Sequence, residues 1–135
     1  MRLRRIERIE RALLLLPFVL AMMATVPFPA QAQTIRILVQ SSPLAGFQYH
    51  AGADFWDELK AGDRLELRRE PDNPHDALAV RVEWQGRQLG YLPRAQNRAV
   101  AVEMDRGARV EARIARLRVH RNPWRRVLVE VWLVL

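Results

Sequence analysis

Residues 62–82 read GDRLELRREPDNPHDALAVRV. Leu65 and Leu67 alternate there with Arg64, Glu66 and Arg68, the two-residue period of a half-buried strand. Leu78, Val80 and Val82 take one face of a second strand over residues 77–84. Between them Pro71-Asp72-Asn73-Pro74 forms a rigid loop, because proline presets φ and Asp and Asn are suited to turns. Two alternating strands joined by a fixed loop are a unit of antiparallel sheet, so this stretch sets the fold class as mainly β.

Toward the C-terminus, Gln85-Gly86 predicts a hairpin turn and residues 87–92 the returning strand. Residues 95–105 (AQNRAVAVEMD) fit an amphipathic helix with Ala99, Val102 and Met104 on its apolar side, closed by Gly107. Residues 109–119 alternate again: Val110, Ala112, Ile114, Leu117 and Val119 stand against Arg113, Arg116 and Arg118, with a phase slip near Ala115. Asn122-Pro123-Trp124 turns the chain into a final strand, residues 127–135, whose apolar end suits the centre of a sheet. Upstream, residues 34–40 read as a strand, Ser41-Ser42-Pro43 as a turn, residues 44–50 as a second strand, and residues 54–59 as one or two helical turns stopped at Ala61-Gly62-Asp63. Six or seven strands with two short helices make a small barrel or a strongly bent sheet. Leu65, Leu67, Val80, Val82, Leu89, Val110, Ile114 and Val129 are the expected core.

The N-terminus has a different character. Met1-Arg2-Leu3-Arg4-Arg5 is basic, residues 13–27 (LLLLPFVLAMMATVP) are almost wholly apolar, and Ala30-Gln31-Ala32 is an A-x-A cleavage signature. Residues 1–32 are therefore expected to be a signal peptide, and residues 33–135 an exported, periplasmic or secreted domain that meets the membrane only in transit. The rival reading is a membrane anchor, but the run is short for a span and Pro17 and Pro27 interrupt it. The leader holds five arginines against Glu7 and Glu10, so of the formal charge of +7 about +4 remains on the mature domain. Lys60 is the only lysine. Such an arginine bias suits phosphate recognition and equally reflects genome composition. Cysteine is absent, which removes disulfides and thiolate chemistry.

The opening stretch also resembles the centre of the HIRAN domain: a G-D-x-L-x-L strand, then R-E-P-x-N-P with an aspartate after the next residue, then an A-x-V strand. Gly86-Arg87-Gln88-Leu89-Gly90-Tyr91-Leu92-Pro93-Arg94 is similar to the family's G-x-x-x-G-Y-L-P-R element, and Gly46-Phe47-Gln48-Tyr49-His50-Ala51-Gly52 to its first glycine-aromatic strand. The resemblance implies an OB-like β-barrel. It further implies a pocket which, in eukaryotic helicase-like relatives, captures the free 3′-hydroxyl end of single-stranded DNA. Carried over residue by residue, the ligand-binding set is Gln48, Tyr49, His75, Asp76, Tyr91 and Arg94. Tyr49 is then a pocket aromatic, Asp76 the acceptor for the terminal hydroxyl, and Tyr91 and Arg94 a polar group and a cation beside the phosphate. Gln48 stands where the end-binding relatives carry arginine, and His75 where tyrosine is common.

Each of these residues has a plainer reading. Pro71, Asn73 and Pro74 serve loop architecture; Asp76 reads equally as a cap of the turn; Tyr49 and Tyr91 also suit a core with a wet hydroxyl. His75 beside Asp76 is only half a metal site, with no third ligand at suitable spacing, so no metal or cofactor is expected. The arginines of residues 106–126 are either a solvated strand face or a stripe along a phosphate chain. Ser41 and Ser42 are the only serines, no Gly-rich phosphate loop occurs, and no carboxylate pair shares an obvious cleft, so the expectation is a binding module and not an enzyme. The partner is single-stranded nucleic acid or, in the alternative, a protein or small ligand met outside the cytoplasm.

Overall fold

The computed structural model describes residues 27–135, apart from 51 and 53. The basic start and most of the apolar run of the expected signal peptide lie outside the described residues. Residues 27–35 carry no regular structure and are exposed. Thr34–Leu135 forms a unit with its own core.

Six strands make that unit: β1 (Arg36–Pro43), β2 (Arg64–Glu70), β3 (Ala79–Trp84), β4 (Arg87–Tyr91), β5 (Arg109–Leu117) and β6 (Val127–Val134). They form one antiparallel sheet in the order β1-β6-β5-β2-β3-β4, with β6 held between β1 and β5 as its apolar sequence requires. Helix α1 (Arg98–Asp105) and short 3-10 turns at Phe47–Tyr49, Trp56–Glu58 and Pro123–Arg125 complete the described elements. The OB-like, mainly β class holds, but the sheet is not closed. Among the described residues its two edges are joined by one bridge, where Ala45, just beyond β1, exchanges backbone bonds of 2.8 and 2.9 Å with Tyr91 at the end of β4.

The opening motif explains much of this. Gly62 and Asp63 pair their backbone with Ile114 at 2.7 and 2.9 Å, which docks the start of β2 on β5. The Asp63 carboxylate accepts from the indole N–H of Trp84 at 3.0 Å, tying β2 to the end of β3. The β3–β4 hairpin turns at Gln85 and Gly86, with φ of 48° and 77°; two successive positive values fit the twist of a tight hairpin. The phase slip near Ala115 is a β-bulge between Ile114 and Arg116.

Several local expectations are corrected. Ser41-Ser42-Pro43 is not a turn: β1 continues through it, with Ser42 buried and bonded to Gln40. Residues 44–50 are not a strand. Gly46 has φ 72°, which breaks the extended path, and Phe47–Tyr49 coils into a 3-10 turn. Strand β3 starts at Ala79 rather than Ala77, because Ala77 and Leu78 belong to the turn that Asp76 holds. Helix α1 buries Val100 and Ala101 and packs Met104 against the core as expected, while Ala99 faces solvent and Val102 is only half-buried, so its apolar side is partly rotated from the expected one. Leu65, Val80, Val82, Leu89, Ile114 and Val129 are core; Leu67 and Val110 are half-buried against it. Leu44, Phe47, Trp84, Leu92 and Val131 are among the further residues of a core larger than expected.

Candidate functional site

The loop between β2 and β3 is built by its own polar side chains. The Asn73 carbonyl oxygen accepts from the backbone N–H groups of His75 (2.9 Å) and Asp76 (3.3 Å). The Asn73 amide donates to Glu70 Oε2 at 3.0 Å. One asparagine thus pins both ends of the loop, the loop-building role that its spacing suggests. Asp76 Oδ1 then accepts from the Leu78 N–H at 2.9 Å, and Oδ2 accepts from the Asn97 amide at 2.7 Å. Asp76 therefore does cap a turn, and it also faces a cleft.

That cleft, of about 300 Å3, is lined by Ala45, Asn73, His75, Asp76, Ala79, Tyr91, Leu92 and Arg94. Its floor is apolar and its polar groups come from two segments: the β2–β3 loop, and the end of β4 with the residues after it. The Ala45–Tyr91 bridge forms one wall, so the point where the sheet nearly closes is also the point where the site is built.

Tyr91 is held from behind. Its hydroxyl donates to Glu70 Oε2 at 3.0 Å, and His50 meets its ring edge-on with centroids 5.8 Å apart. Burial, with the hydrogen bond to Glu70, keeps the phenol above its ordinary range, so Tyr91 stays a donor. Glu70 also lies 3.4 Å from Arg81, which reaches Glu83 at 2.6 Å; Arg68 bonds the same Glu83 at 2.8 Å. Burial would raise the Glu83 carboxyl, but those two guanidinium groups outweigh it and hold it below the usual range.

Burial likewise raises the Asp76 carboxyl. The Leu78 amide, Asn97 and the charges of Arg94 and Arg69 more than offset this, so Asp76 stays ionised to lower pH than an ordinary aspartate. The result is an acceptor-only carboxylate beside an exposed cation, Arg94, with aromatic rings nearby.

The structure brings His75, Asp76, Tyr91 and Arg94 together in this cleft. It does not bring Gln48 and Tyr49 into the lining: both are exposed, Tyr49 at 81%. In a 3-10 turn the residues three apart share a face, so Phe47 enters the core and His50, not Tyr49, turns toward Tyr91. His50, Glu70 and Asn97 are the supporting residues that sequence reasoning missed. The glutamate of E-P-x-N-P could have been found from its offset to Asn73; the other two needed the fold.

A second hollow, of about 270 Å3, is lined by Pro43, Arg116, Arg118, Trp124, Arg125, Val127 and Leu128. Trp124 is 45% exposed, and Asn122 caps its turn by accepting from the Trp124 N–H at 3.1 Å. Pro43 lines this hollow and Ala45 the first, two residues further along the same segment.

A family model described as the HIRAN domain matches residues 37–135. A protein from Lactobacillus plantarum, known from its crystal structure, is similar over 76% of this chain and 98% of its own, with a TM-score of 0.64 and 25% identity. The HIRAN domain of human HLTF is similar over 73% of this chain and 78% of its own, with a TM-score of 0.56 and 23% identity, a likeness of fold. No curated protein matches the chain. The opening motif builds the loop, the loop builds the cleft, and a family match runs from β1 to the last residue: the chain belongs to the HIRAN domain family.

Proposed function

We propose that this domain is a non-catalytic binding module for single-stranded nucleic acid, taking a free 3′-hydroxyl end into the cleft around Asp76. One observation carries the reading: Asp76, Tyr91, His75 and Arg94 line one cleft of about 300 Å3, on the family's fold. A base has an aromatic edge and an apolar floor there, a hydroxyl has an ionised acceptor, and a phosphate has Arg94 at the rim. The neighbouring hollow, with Trp124 among Arg116, Arg118 and Arg125, offers the rest of the strand a stacking ring and three cations. Gln48 and Tyr49 reach the ligand only from outside the lining.

The chain is further read as exported after loss of residues 1–32. That location favours a second reading, in which the same cleft takes a protein tail or small ligand. Fluorescence anisotropy on the purified protein separates the two. The first reading expects single-stranded DNA with a free 3′ end to bind, and the same strand with a 3′ phosphate to bind weakly, since Asp76 would lose a donor and meet a negative charge. Equal binding of both ends would reject end capture. Absence of binding at low and moderate salt would leave the second reading.

A further inference from the structure

Asn97 stands one residue before α1 and is 1% exposed, yet its side chain makes no capping bond to the helix. Its backbone carbonyl already accepts from the Ala101 N–H at 2.9 Å, so the helix start does not depend on the side-chain amide. The amide nitrogen instead reaches across 21 positions of sequence to Asp76 Oδ2 at 2.7 Å. Its oxygen is buried with no partner among the described residues. A buried, unpaired carbonyl is a cost that an apolar residue of similar shape would avoid. The one bond the side chain does make runs to the acidic group of the cleft.

The geometry points to Asn97 as the positioning residue of Asp76: its buried amide holds the carboxylate in one rotamer, acceptor-only, with its remaining lone pairs toward the cleft. The two Asp76 oxygens are each given one protein donor, Leu78 N–H on Oδ1 and the Asn97 amide on Oδ2, which leaves each oxygen able to accept one more. Rotation of the amide would set its oxygen against a carboxylate, so the ionised Asp76 fixes Asn97 in turn. Arg94 and Arg69 are the charges that act on this carboxylate from outside the pair. A carboxylate so held accepts from a hydroxyl and rejects a phosphate. This inference rests on the single-strand reading only for the identity of the ligand.

The test uses Asn97→Leu, which keeps a branched side chain without polar atoms, and Asn97→Ala, in the full chain. The carboxyl carbon resonance of Asp76 is followed by NMR from neutral to acid pH without ligand. Both variants are expected to titrate at higher pH than wild type and, because Asp76 gives up a bond that favours its charged form, to lose stability at neutral pH, Asn97→Leu less than Asn97→Ala since it leaves no cavity. In anisotropy, the preference for a 3′-hydroxyl over a 3′-phosphate strand should fall about tenfold, the scale of one lost bond to a charged group. An Asp76 titration unchanged in both variants would overturn the assignment, whatever happens to stability. Should wild type bind neither strand, the single-strand reading fails, and the titration by itself decides on Asn97.

Discussion

At the scale of single residues, a one-residue slip decides which ring stands against Tyr91, a wall of the cleft. Read as a strand, residues 44–50 set Phe47 and Tyr49 on one face; coiled as a 3-10 turn, they set Phe47 and His50 there. The E-P-x-N-P loop was legible because its bonds are local, spanning three or fewer residues. The His50–Tyr91 contact joins residues far apart in sequence and was not. It has a consequence for pH. Burial and then the Arg81 charge hold His50 below its ordinary range, against the opposing pull of Glu70. The folded state therefore prefers the neutral imidazole. His50 contributes stability that is fully present above its ordinary value of 6.5 and is lost as pH falls from there through the lowered folded value. Thermal unfolding should drop between neutral and mildly acid pH, and His50→Gln should flatten that limb; equal slopes in the two proteins would remove His50 from the account. At the cleft itself, Tyr91→Ala should cost strand binding about 1–3 kcal/mol. Arg94→Ala should weaken binding and reduce its salt dependence, both read by anisotropy.

At the scale of elements, alternation identified most strands, and it was least reliable at the rims. Leu65 and Leu67 look equivalent in the sequence, but β2 pairs with β5 only at Arg64 and Leu65 before leaving it. Leu65 is consequently buried under β5 while Leu67 is half-buried where the strands part. Leu65→Ala should cost about 2–5 kcal/mol, and Leu67→Ala less than about 2 kcal/mol, measured by urea unfolding. The reverse order would place the sheet's seam wrongly. Helix α1 was legible as a helix because its residues favour one, but its buried face was not: Ala99, Val100 and Ala101 are all small and apolar, and only packing selects among them. The bridge that nearly closes the sheet is testable too. A Cβ on Gly90 would collide with the backbone oxygen of Ala45, one of the two residues that form it. Gly90→Ala should therefore cost about 1–3 kcal/mol and weaken strand binding, because Ala45 and Tyr91 wall the cleft.

At the scale of the whole molecule, two kinds of sequence signal stand side by side: the composition of residues 1–32, which we propose marks a leader, and the periodicity of the domain that follows. Among the described residues, the core of Thr34–Leu135 is drawn from that unit itself. Ala30, Gln31 and Ala32 are exposed and without regular structure, and Arg36, the first residue of β1, lies beyond them. Removal after Ala32 would therefore spare every strand and every residue of the cleft. It would also take away five arginines and leave the domain with about +4, too mild a charge for strong non-specific adhesion to polyanions, so that binding would depend on the cleft and on Trp124 with its arginines. The expectation is mature protein beginning at Gln33, recovered outside the cytoplasm and identified by N-terminal sequencing together with fractionation. A chain that keeps Met1 and partitions with membranes would make residues 13–27 an anchor. A chain that keeps Met1 in the cytosolic fraction would reject export, and would strengthen the case for a nucleic-acid ligand in the compartment that holds it.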